Sequence, residues 1–422
     1  MYQKTVLDNG LRIVTESMPQ TNSVSICIFA GVGSRYEKDK VAGVSHFIEH
    51  LLFRGTDKRP ETRLISEAIE GVGGVLNGGT DKELTVYWCK VPAAHFTTAV
   101  DVLADMLLHA RFEPSDIEKE RQIILEEIKM NYDNPGQRVN QLIDGSLWYG
   151  SPLGRDVAGS KKTVSAITRE ELLEYKNMSY LPSNAVVAIA GNVGHDEAVR
   201  AVSEYLGCWG NRKHFHKFKS YQLKECPHVK IEKRKIEQAH LCLALPGLSR
   251  FDAKRYHLDM LNIILGVGMS SRLFNEVRDK LGLAYTITSY AEHLSDTGSL
   301  IVYAGVEPGK LSTAIKVILE QMAIFTRKKV SDEELAKARE MAKGRLLLRM
   351  EENRHVASWL GTQEILTNRI LTVDDVVAII DAVTASDIMR IAKELMVSER
   401  LKLAVVGPVN RDEPLDALLR FG

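Results

Sequence analysis

The spacing of apolar residues changes several times along the first half of the chain, and each change predicts a new element. A β-rich run at residues 23–30 predicts a strand, and the apolar spacing then becomes helical at residues 44–53. A second strand is predicted at residues 85–91, followed by helices at 92–109 and 114–132. This succession is typical of a sheet covered by helices.

The second half of the chain resembles a diverged copy of the first. Segments of the two halves match at a separation of 216 residues near the end of each half and 215 near the start. A period this long predicts two domains of one fold rather than an array of small repeats. The matching pairs are Ala166-Ile167-Thr168 with Ala382-Val383-Thr384, Ala188-Ile189-Ala190-Gly191 with Ala404-Val405-Val406-Gly407, and Ser34-Arg35-Tyr36-Glu37 with Ser249-Arg250-Phe251-Asp252.

The predicted fold class is therefore α+β, with two homologous domains related by an internal duplication, each a mixed or antiparallel sheet covered by helices. A chain of 422 residues also exceeds the length at which one hydrophobic core stops growing. A basic, polar run at 213–219 follows Gly207 and Gly210 and reads as part of a linker. We predict an N-terminal domain at 1–210, a linker at 211–228 and a C-terminal domain at 229–422.

Composition excludes several classes of function. The 55 basic and 55 acidic residues leave no net field for nucleic acid or anionic lipid, so neither nucleic acid nor membrane is an expected partner. The five cysteines are scattered and form no CxxC pair, which favours reduced thiols. The chain shows no secretory signal pattern and no apolar stretch long enough to cross a bilayer, so a cytoplasmic location is expected.

The polar residues of the predicted helix at 44–53 suggest a metal site. His46 and His50 are four residues apart and share one helix face, where both can reach one ion. Glu49 lies near that face, in an otherwise apolar run, and can act as a base toward a water molecule. Two imidazoles with a carboxylate suit Zn²⁺, and this HxxEH spacing is the reverse of the HExxH zinc-peptidase motif.

The duplication separates this chemistry from the requirements of the fold. At the matching positions of the second half stand Leu261, Ile264 and Leu265, which are ordinary core residues. A third ligand must come from elsewhere, and the helix predicted at 114–132 is the best source. Its Glu120 and Glu127 are two helical turns apart on the same face as apolar residues, where a carboxylate needs a reason. Taken alone, however, the pattern of this segment favours a surface helix rich in salt bridges.

With these motifs the chain resembles the pitrilysin–insulysin superfamily of zinc metallopeptidases, in particular the short-chain branch that includes mitochondrial processing peptidase and its bacterial relatives. The resemblance rests on HxxEH followed by Glu120-Arg121 and Glu127, and it covers almost the whole chain. It implies one zinc ion per chain, held by His46, His50 and Glu127. It implies Glu49 as general base and Glu120 as an acidic neighbour that does not bind the metal directly.

The resemblance also implies how a peptide substrate binds. The segment containing Asn77, Gly78, Gly79 and Thr80 is similar to the family's edge strand, to which a peptide adds as a further strand. Two glycines stand where the family usually has an alanine and often an aromatic residue. The segment 273–285 looks like the family's Arg…Tyr element, which makes Arg278 the holder of substrate backbone and Tyr285 a stabiliser of the oxyanion.

These observations predict a zinc-dependent endopeptidase that cleaves extended or unfolded peptides. The alternative is a non-catalytic scaffold or binding subunit, since the family includes partners that lack the zinc motif. The long members of the family carry four such domains, with zinc in the first and the Arg…Tyr element in the last. By analogy, a two-domain chain is expected to form a homodimer in which Tyr285 of one chain completes the zinc site of the other.

Overall fold

The computed structural model describes residues 1–210, 218–410 and 414–421. Within these residues the strands form a six-stranded and a five-stranded sheet. Most of the predicted linker, residues 211–217, lies outside the described residues. The strands are β1 (Gln3–Val6), β2 (Arg12–Ser17), β3 (Ser23–Ala30), β4 (Val75–Thr80), β5 (Thr85–Pro92), β6 (Ala185–Gly191), β7 (Val229–Lys233), β8 (Ala239–Pro246), β9 (Ala284–His293), β10 (Gly298–Val306) and β11 (Lys402–Gly407).

The two sheets repeat one strand order. The first runs β1-β2-β6-β3-β5-β4 and the second β7-β11-β8-β10-β9, so that β2 to β6 correspond to β7 to β11. In each sheet one pair is parallel, β2 with β6 and β7 with β11, and the other pairs are antiparallel. The shared order confirms the predicted α+β fold with its internal duplication.

Helices cover these sheets, and the described part of the chain contains no helix long and apolar enough to span a membrane. The helices are α1 (Val44–Leu51), α2 (Thr62–Glu70), α3 (Phe96–His109), α4 (Pro114–Asp133), α5 (Pro135–Leu147), α6 (Lys161–Ala166), α7 (Arg169–Ser179), α8 (His195–Leu206), α9 (Arg255–Gly266), α10 (Leu311–Arg327), α11 (Asp332–Arg349), α12 (Asn353–Thr367), α13 (Val373–Ala382) and α14 (Ala385–Leu395), with a π-helical segment at Phe274–Lys280.

The chain divides into two compact units, and each unit takes segments from both halves of the sequence. The first unit contains Met1–Ile128, Asp156–Lys219 and Leu347–Thr372, and the remaining residues form the second. The halves exchange one helix: α12 packs on β3 and β6 of the first sheet, whereas α5 packs on β8 and β11 of the second. The compact units are therefore a different division of the chain from the sequence domains 1–210 and 229–422, which stay a prediction.

Buried apolar side chains hold each exchanged helix on its sheet. On α12, Val356, Ala357 and Leu360 are nearly inaccessible and form one apolar cluster with Phe29 and Ala188 of the first sheet. On α5, residues of the same kind cluster with Cys242, Ala244, Ala404 and Val406 of the second sheet; they are Val139, Leu142, Ile143 and Leu147. Burial of such side chains stabilises each unit by about 1.5–3 kcal/mol per residue.

Candidate metal centre

Helix α1 carries the polar residues of the predicted site on an otherwise buried element. Phe47, Ile48 and Leu51 are at most 1% exposed and belong to the core of the first unit. Three-residue and four-residue spacing then places His46, Glu49 and His50 together on another face. One ligand atom from each of these three side chains lies within 4.8 Å of the others, which is a separation that a metal ion can bridge.

Helix α4 brings Glu127 to the same point. Its Oε2 lies 3.7 Å from Nε2 of His46 and 3.7 Å from Nε2 of His50. Two ligands of a tetrahedral zinc ion, each at its usual bond length, lie about 3.3–3.6 Å apart. The two imidazoles and the Glu127 carboxylate therefore fit a zinc ion in both donor type and spacing.

Glu120, two turns earlier on α4, contacts a histidine and an arginine of α1 and the loop after it. Nδ1 of His50 lies 2.8 Å from Glu120 Oε2, and the guanidinium of Arg54 contacts Oε1. Burial opposes ionisation, but the His50 hydrogen bond and the Arg54 charge together hold the pKa of Glu120 below its usual value. An ionised Glu120 accepts a hydrogen bond from the Nδ1–H group of His50, which leaves the lone pair of Nε2 free to bind a metal.

His46 has a different environment. Burial, followed by the neighbouring His50, lowers the pKa of His46 to about 4, so its imidazole is neutral at pH 7 and able to bind a metal. Its Nδ1 is buried and has no hydrogen-bond partner within the described residues. For His50, burial again favours the neutral form, but the Glu120 hydrogen bond and the nearby carboxylates raise the pKa above its usual value.

Glu49 is a partly buried carboxylate with the properties of a base. Burial raises the pKa of Glu49 to about 7; the His50 charge opposes this shift, whereas Glu127 and Glu120 add to it. A base is most effective when its pKa lies near the working pH. The buried Tyr87 and Tyr180 lie close to Glu49, and their hydroxyls are 3.0 Å apart.

Strand β4 lies at the edge of the first sheet, beside Glu49. Its register pairs Asn77 with Trp88 and Gly78 with Tyr87 of β5, and Gly79 and Thr80 continue the ladder. A Cβ atom built on Gly78 would lie 2.8 Å from Oε1 of Glu49, whereas one built on Gly79 would meet nothing within 4 Å. The segment predicted to bind peptide is therefore an edge strand whose backbone approaches the carboxylate.

Arg278 and Tyr285 belong to the second compact unit. Arg278 lies on the π-helical segment with its guanidinium 4.7 Å from the Phe274 ring centre and 5.4 Å from that of Tyr285. Tyr285 is the second residue of β9 and its side chain is 74% exposed. In the same unit, Leu261, Ile264 and Leu265 of α9 are buried, as predicted for the copy of α1 without metal ligands.

Sequence reasoning did not identify three further residues around α1. Arg54 follows the helix and holds Glu120, and its charge in the run Phe53-Arg54-Gly55 was the available signal. Glu37 accepts hydrogen bonds from the N–H groups of Gly43 and Ser45 at the start of α1, whereas the sequence marks it only as part of the internal repeat. Tyr87 lies on a strand whose alternating pattern predicts burial but does not indicate a neighbouring carboxylate.

Two family models and several known proteins match this chain. The family model described as "Insulinase (Peptidase family M16)" matches residues 12–161, and the one described as "Peptidase M16 inactive domain" matches residues 166–342. An uncharacterized zinc protease of Streptomyces coelicolor is 37% identical over 96% of this chain and 90% of its own length. Another, of Bacillus subtilis, is 34% identical over 97% of this chain and 98% of its own.

Solved structures show the same fold. A protease from Helicobacter pylori superposes with a TM-score of 0.89 at 21% identity, covering 97% of this chain and 99% of its own. A chain of complex III2 from Candida albicans gives a TM-score of 0.85 at 19% identity, covering 99% of both chains. The family matches and the full-length relatives confirm what the motifs predicted: the chain belongs to the insulinase family of peptidases, family M16.

Proposed function

We propose that the protein is a zinc-dependent endopeptidase that cleaves extended or unfolded peptides, with His46, His50 and Glu127 as zinc ligands and Glu49 as general base. The observation that carries the proposal is the equal 3.7 Å distance from Glu127 Oε2 to Nε2 of each histidine. The relatives named zinc proteases support the same metal.

Each proposed site residue has a separate role in peptide hydrolysis. Zinc supplies Lewis acidity toward the scissile carbonyl and the attacking water. Glu49 accepts the proton of that water and passes it to the leaving amine, for which a carboxyl with a pKa near neutrality is suited. Glu120 fixes the orientation of His50 through Nδ1, and Arg278 and Tyr285 are proposed to bind substrate backbone and the oxyanion.

Strand β4 is proposed to bind the substrate by strand addition. Edge strands present backbone N–H and C=O groups that can pair with an extended peptide, largely independently of its sequence. Asn77, Gly78, Gly79 and Thr80 lie on this edge, and Gly78 brings it against Glu49. A peptide paired there would pass beside the proposed base.

The alternative function is a non-catalytic scaffold or binding subunit of the same fold. Fold alone does not distinguish the two, since the matched structures include both a protease and a chain of complex III2. The presence of the complete His46, Glu49 and His50 group favours the enzyme. The scaffold does not require these residues.

The decisive experiment compares the wild type with Glu49→Gln. We expect about one zinc per wild-type chain by metal analysis and cleavage of a diverse peptide library that a chelator abolishes. Glu49→Gln should keep its zinc and lose cleavage, because an amide cannot accept the proton. Absence of zinc from the wild type after supplementation would support the scaffold, and loss of zinc from the variant would show that Glu49 is a ligand.

A further inference from the structure

The residue directly before helix α1 has no room for a side chain. This N-cap residue is Gly43, with φ of 96°, a left-handed conformation that favours glycine. A Cβ atom at this position would lie 2.5 Å from the carbonyl oxygen of Ala158. Glycine has no side chain, so the free N–H groups of the first helical turn require another acceptor.

The Glu37 carboxylate is that acceptor. Its Oε2 accepts a hydrogen bond from the N–H of Gly43 at 2.7 Å, and its Oε1 accepts one from the N–H of Ser45 at 2.9 Å. Glu37 is only 4% exposed, so these are buried, charge-assisted hydrogen bonds. The hydroxyl of Ser45 also lies 2.9 Å from that of Tyr175.

These contacts fix the backbone directly before the proposed ligands. Ser45 precedes His46, and one further turn of the helix reaches Glu49 and His50. A carboxylate at a helix N-terminus also interacts favourably with the helix dipole. The Glu37 carboxylate therefore contacts the N-terminus of the helix that carries both histidines, directly before His46.

The internal duplication provides a comparison. Asp252 stands at the position of Glu37 in the second half, and it accepts a hydrogen bond from the N–H of Lys254 at 2.8 Å. In the second half, α9 begins at Arg255. The corresponding residue of the first half is Lys40, which lies four positions before the start of α1. The Asp252 carboxylate thus contacts only the N-cap residue of α9, Lys254, whereas Glu37 also accepts from the N–H of Ser45 inside α1, the helix that carries the proposed metal ligands.

We propose that Glu37 is a positioning residue for the metal centre: it holds the N-terminus of α1 so that His46 and His50 present their nitrogens to one ion. This inference rests on the proposed zinc function. It predicts that loss of the cap changes zinc affinity and the metal environment, in addition to any change in stability.

The test measures zinc dissociation constants of metal-free Glu37→Gln and of the wild type by chelator competition, together with thermal unfolding. Glutamine retains one acceptor oxygen and turns an NH₂ group toward the second N–H donor. We expect zinc to bind Glu37→Gln at least about tenfold more weakly, the scale of losses from groups that orient metal ligands. The absorption spectrum of the cobalt-substituted variant should also shift.

Glu364→Gln is the matched control. Glu364 is 1% exposed in the same unit, but its carboxylate pairs with Lys4 at 2.7 Å and Arg12 at 3.2 Å, not with α1. Glu364→Gln should destabilise the fold and leave zinc affinity and the cobalt spectrum unchanged. Glu37→Asp, which keeps both oxygens, should bind zinc more tightly than Glu37→Gln and covers the case in which the glutamine variant does not fold.

The outcomes separate this inference from the proposed function. Wild-type affinity in Glu37→Gln, or equal losses in Glu37→Gln and Glu364→Gln, overturns the positioning role while the zinc function stands. A wild type that binds no zinc overturns both.

Discussion

At the scale of single residues, the two histidines of α1 are four residues apart and yet have different surroundings. Nδ1 of His50 is tied to Glu120, which Arg54 holds in turn, whereas Nδ1 of His46 is buried without a partner in the described residues. The ring of His50 is therefore oriented by side chains around it, and that of His46 mainly by its packing. Glu120 contacts only His50 of this pair, whereas Glu127 lies near both histidines. Substitutions of the two glutamates should therefore have different effects.

We predict that Glu127→Gln weakens zinc binding far more than Glu120→Gln. Glu127→Gln removes a charged metal-binding carboxylate that lies 3.7 Å from both Nε2 atoms. Glu120→Gln removes only the hydrogen-bond acceptor that orients His50. Loss of an orienting group typically costs about 10–100-fold in metal affinity. Isothermal titration of the metal-free proteins with zinc measures both effects.

Glu126→Gln is the control for this pair, because Glu126 is an exposed neighbour on the same helix. Its zinc affinity should equal that of the wild type. If Glu120→Gln is the variant that empties the site, the assignment of the two glutamates must be exchanged.

At the scale of elements, local patterns predicted the strands and helices near the site well. Strand β3 has the predicted bounds, and α1 ends two residues before the predicted end. Helix α3 begins at Phe96 rather than at residue 92, because β5 continues through Pro92 in its ladder with β3. A ladder depends on a distant partner strand, which local spacing does not reveal.

The contacts between elements are harder to predict from the sequence than the elements themselves. The motif identified His46, Glu49 and His50 because helical spacing alone brings them together. Glu37 and Arg54 reach the site through hydrogen bonds across loops, and no periodicity encodes these. The exchange of α5 and α12 is equally hidden, since an apolar helix face does not indicate which of two sheets with one strand order it covers.

The packing of α12 gives a prediction at this scale. Gly361 lies on α12 where a Cβ atom would overlap the ring of Phe29 and come within 2.9 Å of Ala188 Cβ on the first sheet. We expect Gly361→Ala to lower the free energy of unfolding by about 1–3 kcal/mol, because the added methyl overpacks a fixed interface. Urea denaturation followed by circular dichroism measures the change.

Gly344→Ala supplies the comparison for this substitution. Gly344 lies inside α11, and a Cβ atom there would meet nothing within 4 Å. The same exchange should stabilise the protein by up to about 1 kcal/mol through helix propensity. Equal effects of the two substitutions would contradict the packing of α12 on the first sheet.

At the scale of the whole molecule, the exchanged helices make each unit dependent on both halves of the sequence. A fragment of residues 1–219 lacks Leu347–Thr372, and a fragment of residues 220–422 lacks Lys129–Arg155. Each sheet would then expose the face that α12 or α5 covers. We predict that neither fragment folds alone and that the two assemble when expressed together.

Trp148 reports this assembly. It lies in the sequence of the first fragment but is 1% exposed in the core of the second unit. With Trp88→Phe and Trp209→Phe, it becomes the single tryptophan of fragment 1–219. Its fluorescence should be that of an exposed indole in the isolated fragment and shift to the blue when fragment 220–422 carrying Trp359→Phe is added. A native-like spectrum of the isolated fragment would contradict the exchange.

The largest scale is the assembly, for which we propose a homodimer with active sites completed between chains. By analogy with the four-domain members of the family, the Tyr285 that serves a zinc site comes from the partner. Tyr285 is 74% exposed in the single chain and is available to such a partner. Light scattering should give about twice the chain mass of 47.2 kDa.

Complementation between two inactive variants tests this arrangement. Glu49→Gln removes the proposed base, and Tyr285→Phe removes the proposed oxyanion donor, so each variant alone should be nearly inactive. In a mixed dimer the Tyr285→Phe chain offers an intact zinc site and the Glu49→Gln chain an intact tyrosine, so one complete site forms. Mixing the variants should restore substantial cleavage after subunit exchange, which differently tagged chains verify by co-purification. If exchange occurs and activity does not return, each site is built within one chain.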